Sequence, residues 1–204
     1  MREALTGDPL DVLARWVADA ASAGLPLPST MTLATADAGG VPHARTVLVT
    51  AINPGGVSFH SSVPTTKTRD LAANPRASAV FHWPALGRQV VLQGTAAQLD
   101  PATSQAAFPT RPRQLQLLAW VYEALAPGLA APGYEVEPGA VEHAFDDAAD
   151  HHPGTPPMPP SWTTIRLVPE QIDFWQAGAE LSPPGKTRFV IGDGHTWRCF
   201  PVLP

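Results

Sequence analysis

MTLATADAGGVPHARTVLVTAINPGGVSFHSS, residues 31–62, decides how the chain folds. Three runs rich in β-branched and aromatic residues, 31–36, 41–52 and 57–62, are divided by Ala38-Gly39-Gly40 and Asn53-Pro54-Gly55-Gly56. Glycine permits positive φ and proline presets φ at a turn corner, so the runs read as strands in two successive hairpins. Downstream, residues 66–73 read as a short helix stopped by Asn74-Pro75, because the residue before a proline ring avoids helical backbone. Strands follow at 77–83 and 89–99, then Asp100-Pro101 opens a helix towards Phe108, and apolar periodicity continues over 115–121. Upstream, Asp8-Pro9 is a cap and first-turn pair, and Leu10, Leu13, Trp16, Val17 and Ala20 recur at helical spacing.

Residues 126–160 change character, to Pro, Gly, Ala and acids, and read as a loop-rich insert with room for a short helix over 141–149. Strand signals return at 162–168, 172–175, 187–191 and 196–200, with Gly192-Asp193-Gly194 turning the last hairpin. Many short strands and few helices predict a mainly β fold, a closed antiparallel barrel with helices packed outside. A chain of 204 residues, 44% hydrophobic and 15% charged, buries one substantial core and is expected to form one domain.

The net charge of -5, with lysine only at 67 and 186 and arginines set singly, offers no basic run for nucleic acid or an anionic membrane. Neither partner is expected. The N-terminal stretch carries acids among its apolar residues and resembles neither a signal peptide nor a membrane span, so a cytoplasmic protein is expected. Cys199 stands alone mid-strand and is expected to be a buried, inert thiol.

No glycine loop of either phosphate-cradling pattern is present, nor paired cysteines for zinc. His151-His152, near Asp147 and Asp150, reads as solvated loop, because a metal centre needs fixed geometry. What remains is a set of polar residues on apolar strands. Arg45 begins the run Thr46-Val47-Leu48-Val49, His60-Ser61-Ser62 ends the next strand, and Lys67 opens the following helix. Cations, hydroxyls and a helix N-terminus are the parts of a phosphate pocket. A surface ion pair and a capped helix explain the same residues equally well.

The segments Met31-Thr32-Leu33-Ala34-Thr35, Arg45-Thr46-Val47-Leu48-Val49, Phe59-His60-Ser61-Ser62, Lys67-Thr68-Arg69-Asp70-Leu71 and Ala73-Asn74-Pro75-Arg76-Ala77 stand in a recognisable order and spacing. With Trp83-Pro84, Arg88-Gln89-Val90, Arg111-Pro112-Arg113, Ala119-Trp120 and the run from Val168 to Gln176, the chain resembles the pyridoxamine 5'-phosphate oxidase family. The resemblance covers about residues 28–121 and 160–204. It implies a split β-barrel working as a homodimer, with one FMN per subunit at the interface. Arg45 and Lys67 would hold the FMN phosphate with Ser61 beside His60, while Thr46, Val47, Leu48 and Val49 would line the cofactor. Gln89 would reach the isoalloxazine ring, and Trp175 and Arg188 would close the site from the second subunit.

The departures from the family lie on the substrate side. The lysine, tyrosine and serine that contact the vitamin's phosphate are replaced by Thr50, Ala107 and Leu115, leaving Arg111. The arginine-leucine-histidine run over the pyridine ring and a glutamine-serine pair towards FMN are also absent, with Ala179 to Lys186 and Ala124-Leu125 in their places. Each charge-assisted contact is worth about 1.5–3 kcal/mol, so the resemblance implies an FMN-dependent oxidase or dehydrogenase for a less anionic small molecule. The donor would be a CH-NH2, CH-OH or ring CH-CH group, as in the phenazine-forming branch. Alternatives are an authentic pyridoxamine phosphate oxidase, a non-catalytic flavin-binding protein, and a protein using a deazaflavin cosubstrate.

Overall fold

Strands β1 (Thr30–Ala36), β2 (Pro42–Asn53) and β3 (Gly56–Ser62) form the two expected hairpins, with Leu33 opposite Arg45 and Val49 opposite Phe59. The computed structural model describes residues 3–129, 134–192, 194 and 196–204. Of the expected turn Gly192-Asp193-Gly194, Asp193 lies outside the described residues, as do 130–133 of the loop-rich stretch. Helix α2 (Thr66–Ala73) follows β3, and β4 (Arg76–Trp83) then pairs with β1, Thr35 facing Ala77. Strand β5 (Arg88–Gln98) pairs with β4 and with β6 (Trp162–Gln176). Because the first part of β6 also pairs with β3, Phe59 opposite Ile165, six antiparallel strands close into a barrel.

The barrel splits at β6. One edge of this long strand pairs with β3 over Trp162 to Leu167, then with β7 (Gly185–Ile191) over Gln171 to Gln176. Strand β8 (Trp197–Val202) extends the sheet beyond β7. Two strands were expected where β6 runs unbroken. Pro169 lacks an N–H and sits at a bulge, where the register against β5 shifts between Gln93 and Gly94, so the strand bends without ending. Gly94 is required there, because a Cβ would collide with the Val168 carbonyl.

The interior holds Leu33, Phe59, Phe81, Leu92, Ile165 and Phe174, all fully buried. Helix α1 (Pro9–Ser22) covers one end: the Asp8 carboxylate accepts from the Leu10 N–H, and Trp16 meets the rings of Trp83 and Phe174 edge-on. Helix α3 (Pro101–Ala107) is tied to β6 by the buried Ser104 hydroxyl, which accepts from the Thr164 N–H at 2.9 Å. Helix α4 (Arg113–Leu125) packs against α5 (Ala140–His151).

Two further expectations fail. Cys199 is exposed, because β8 is an edge strand with four of its six residues facing solvent. His151-His152 is no solvated loop: His151 ends α5, and the His152 ring lies 4.5 Å from that of Trp120, while its carbonyl accepts from Arg113. Among the described residues no helix is long and apolar enough to cross a membrane, and no group of three or more His, Cys, Asp or Glu could hold a metal.

Candidate functional site

Strand β2 alternates. Arg45, Val47 and Val49 point inward while Thr46, Leu48 and Thr50 are exposed. Val47 and Val49 are therefore core, and Arg45, nearest the barrel mouth, faces α2. Its Nη1 donates to the Thr35 hydroxyl at 2.8 Å and the Leu33 carbonyl at 3.3 Å. Asp70 of α2, buried, accepts from the same Thr35 hydroxyl at 2.5 Å and contacts His43 Nδ1 at 3.0 Å.

Lys67 is held at the start of α2, whose cap is built from Thr65 and Thr68: the Thr65 N–H donates to the Thr68 hydroxyl at 2.8 Å. The Lys67 ammonium donates to Ser61 Oγ at 2.9 Å and to Thr65 Oγ1 at 3.3 Å. Among the described residues it forms no ion pair within 4.0 Å. Burial, followed by the charge of Arg45, pushes its pKa down to about 8.

Two adjoining cavities share Thr65, Lys67, Leu118 and Tyr122 as walls. The larger, about 360 Å3, carries Arg45 and is otherwise mostly apolar. Leu118, Val121, Tyr122 and Leu125 reach it from one face of α4 at spacings of three and four residues. The smaller, about 160 Å3, is lined by His60, Ser61, Arg111, Leu115 and Trp162 among others. Arg111 Nε is buried without a partner among the described residues, and burial works against the guanidinium's charge. Burial and then Arg111 lower the His60 pKa to about 4, so at neutral pH the ring is uncharged, 3.1 Å from Thr164 Oγ1.

The fold thus gathers Arg45, His60, Ser61, Lys67 and Arg111 around one pair of cavities. It sets Gln89, Trp175 and Arg188 elsewhere. Gln89 and Trp175 are cross-strand partners, and Arg188 of β7 pairs with Asp173. None of the three lines either cavity. Arg188 grips Asp173 with two hydrogen bonds of 2.8 Å, and Lys186 adds a contact at 3.2 Å. Burial opposes the Asp173 charge, yet hydrogen bonds from Arg188 and Lys186 and their charges hold its carboxyl below the usual range. Thr50 does not line the cavity that holds Arg111, and its hydroxyl donates to the Ser58 carbonyl at 3.2 Å.

A family model described as pyridoxamine 5'-phosphate oxidase matches residues 17–176. The chain belongs to the pyridoxamine 5'-phosphate oxidase family. The pyridoxine/pyridoxamine 5'-phosphate oxidase of Cupriavidus necator is 37% identical over 197 residues, 97% of this chain and 89% of that protein. Among solved structures, PhzG from Burkholderia lata in complex with tetrahydrophenazine-1-carboxylic acid superposes with a TM-score of 0.85 at 24% identity, over 98% of this chain and 94% of that one. A pyridoxamine 5'-phosphate oxidase-related, FMN-binding protein from Nostoc punctiforme gives 0.74 at 19% identity, over 98% and 100%. Those two likenesses show the fold, the split barrel of this oxidase family.

Sequence reading passed over Thr65, Asp70 and Tyr122. Thr65 and Thr68 carry a visible cap spacing, whereas an acid in a helix gives no sign of burial, and a tyrosine on α4 no sign that it walls two cavities.

Proposed function

We propose that the chain binds FMN through Arg45, Ser61 and Lys67, assembles as a homodimer, and oxidises a small molecule other than pyridoxamine or pyridoxine 5'-phosphate. The observation that carries the reading is the Lys67 ammonium, buried against hydroxyls and beside a second cation. A phosphate dianion relieves that arrangement, since it accepts from both cations and from the α2 N-terminus. The apolar wall of the larger cavity suits a flat, largely apolar group next to that phosphate.

FMN when bound supplies a two-electron acceptor. The chain's own residues orient and enclose. Lys67 and Arg45 fix the anionic end, and Leu118, Tyr122 and Leu125 give the cavity an apolar wall. Arg111 offers a substrate one cation, set among Leu115, Leu118 and Trp162, with His60 neutral beside it. With Lys67, the other cation on this cavity's wall, engaged by the FMN phosphate, the one remaining guanidinium favours a monoanionic or weakly polar donor over a phosphate ester. The dimer rests on two observations: Gln89 and Trp175 lie away from the cavities, and Leu48 and Phe200 are exposed large apolar residues. A second copy docked on the outer sheet brings an aromatic and an amide to the site that one chain lacks.

A second reading, authentic pyridoxine/pyridoxamine 5'-phosphate oxidase, is favoured by the 37% identity to the Cupriavidus necator enzyme of that name and by the presence of Arg111. The absorption spectrum of the purified protein, with mass spectrometry of what co-purifies, tests the flavin: FMN is expected, and protein that takes up no added FMN at micromolar concentration refutes it. Steady-state assays with both phosphate esters separate the readings. A catalytic efficiency of about 10⁴ M⁻¹s⁻¹ or more decides for the second. A bound flavin that no donor bleaches points to a non-catalytic flavoprotein. Light scattering is expected to give a dimer, and a flavin-loaded single chain would contradict the assembly.

A further inference from the structure

We propose that Thr35 and Asp70 are positioning residues for Arg45, acting through the direction of one hydroxyl proton. The inference rests on the FMN reading above and assigns those residues a part in phosphate recognition that family resemblance did not give them.

Thr35 stands between an acid and a cation. Its Oγ1 lies 2.5 Å from Asp70 Oδ2 and 2.8 Å from Arg45 Nη1. A carboxylate only accepts and a guanidinium only donates, so the hydroxyl has one consistent orientation: its proton goes to Asp70 and its lone pairs face Arg45. The acid therefore settles the arginine's acceptor from two links away. Both Thr35 and Asp70 are 3% exposed, so water does not compete for either group. The direct approach of Arg45 Nη2 to Asp70, 3.9 Å, is too long for a hydrogen bond, which leaves the guanidinium charge incompletely neutralised.

Asp70 also governs the second cation. It lies three residues after Lys67 on α2, and its contacts with Thr35 of β1 and His43 of β2 pin that helix to the barrel. One buried carboxylate thus sets the register between Arg45 on the sheet and Lys67 on the helix. A conventional structural role would leave Asp70 merely holding α2 in place, with no preference for one end of a flavin over the other.

The two roles separate on a ligand that lacks the phosphate. FMN and riboflavin are titrated by flavin fluorescence into the full-length protein freed of cofactor, using wild type, Thr35→Val, Thr35→Ser and Asp70→Asn. Thr35→Val is expected to weaken FMN about tenfold, the value of one charge-assisted hydrogen bond, with riboflavin unchanged. Thr35→Ser, which keeps the hydroxyl, is expected within about twofold of wild type for both ligands. Asp70→Asn should follow Thr35→Val in the FMN-to-riboflavin ratio, and it carries the test if the valine variant does not fold. A ratio unchanged in the valine and asparagine variants overturns the proposal, whether both flavins weaken alike or neither does. Wild type that binds riboflavin as tightly as FMN removes the phosphate reading, and the proposal with it.

Discussion

Two regions of this barrel hold a lysine and arginines close together, and they are in opposite electrostatic states. At the mouth, Lys67 meets only hydroxyls and Arg45 leans on a threonine and a carbonyl, with Asp70 3.9 Å away. On β7, Lys186 and Arg188 converge on Asp173, which takes two hydrogen bonds at 2.8 Å and a further contact at 3.2 Å. Residue type does not separate these regions. What separates them is the partner: a hydroxyl leaves a cation's charge available to an incoming anion, whereas a carboxylate has already neutralised it. The first region is therefore the one we propose as the anion site, and Arg188 could reach a ligand only by leaving Asp173.

The largest effect that could break this contrast is at Lys67. Lys67→Ala is expected to raise the FMN dissociation constant by about a hundredfold, with riboflavin nearly unaffected; equal losses for both flavins in a fluorescence titration would show that the lysine does not meet the phosphate. Smaller is the pH effect. With its pKa lowered to about 8, free Lys67 deprotonates as pH rises through that value, while a bound dianion would keep the proton on. FMN affinity should thus be level between about pH 7 and 8, where the phosphate is a dianion, and fall above pH 8 by up to about tenfold per pH unit; a flat profile would mean that another group carries the charge. Over the same window the penalty that Lys67's burial imposes on the flavin-free protein is relieved as pH rises, because the unfolded chain, with the ordinary lysine pKa, holds its proton longer. The smallest change in FMN affinity is expected from Arg188→Ala, below about threefold, accompanied by about 1–2 kcal/mol lost in unfolding because Asp173 keeps only Lys186. A large affinity loss with an unchanged melting temperature would reveal that Arg188 abandons Asp173 in the assembled protein, sharpening the comparison into a switch.

Much of the barrel was legible because its signals are local. Asp8-Pro9, Asn53-Pro54-Gly55-Gly56 and Asp100-Pro101 act within a few residues, and each marks an element boundary that the structure keeps within about two positions. Pro169 misled for the same reason. By local rule it ends a strand, yet pairing with β5, whose Gly94 leaves room for the Val168 carbonyl, carries β6 across it. The exposure of Cys199 was hidden too, since an apolar run looks alike on an inner strand and at an open edge.

By itself the sequence determined the order of strands and helices, the mainly β class, and which short motifs tie the chain to its family, because these depend on neighbours along the backbone. Only the tertiary structure decided that Thr35, Arg45, Ser61, Lys67, Asp70 and Arg111, from three strands, one helix and a connecting segment, stand close together. It alone decided that Arg188 is already paired. The physical reason is that a charge's state is set by whatever stands within a few ångströms of it, and here most of those partners lie six to thirty-five residues away along the chain.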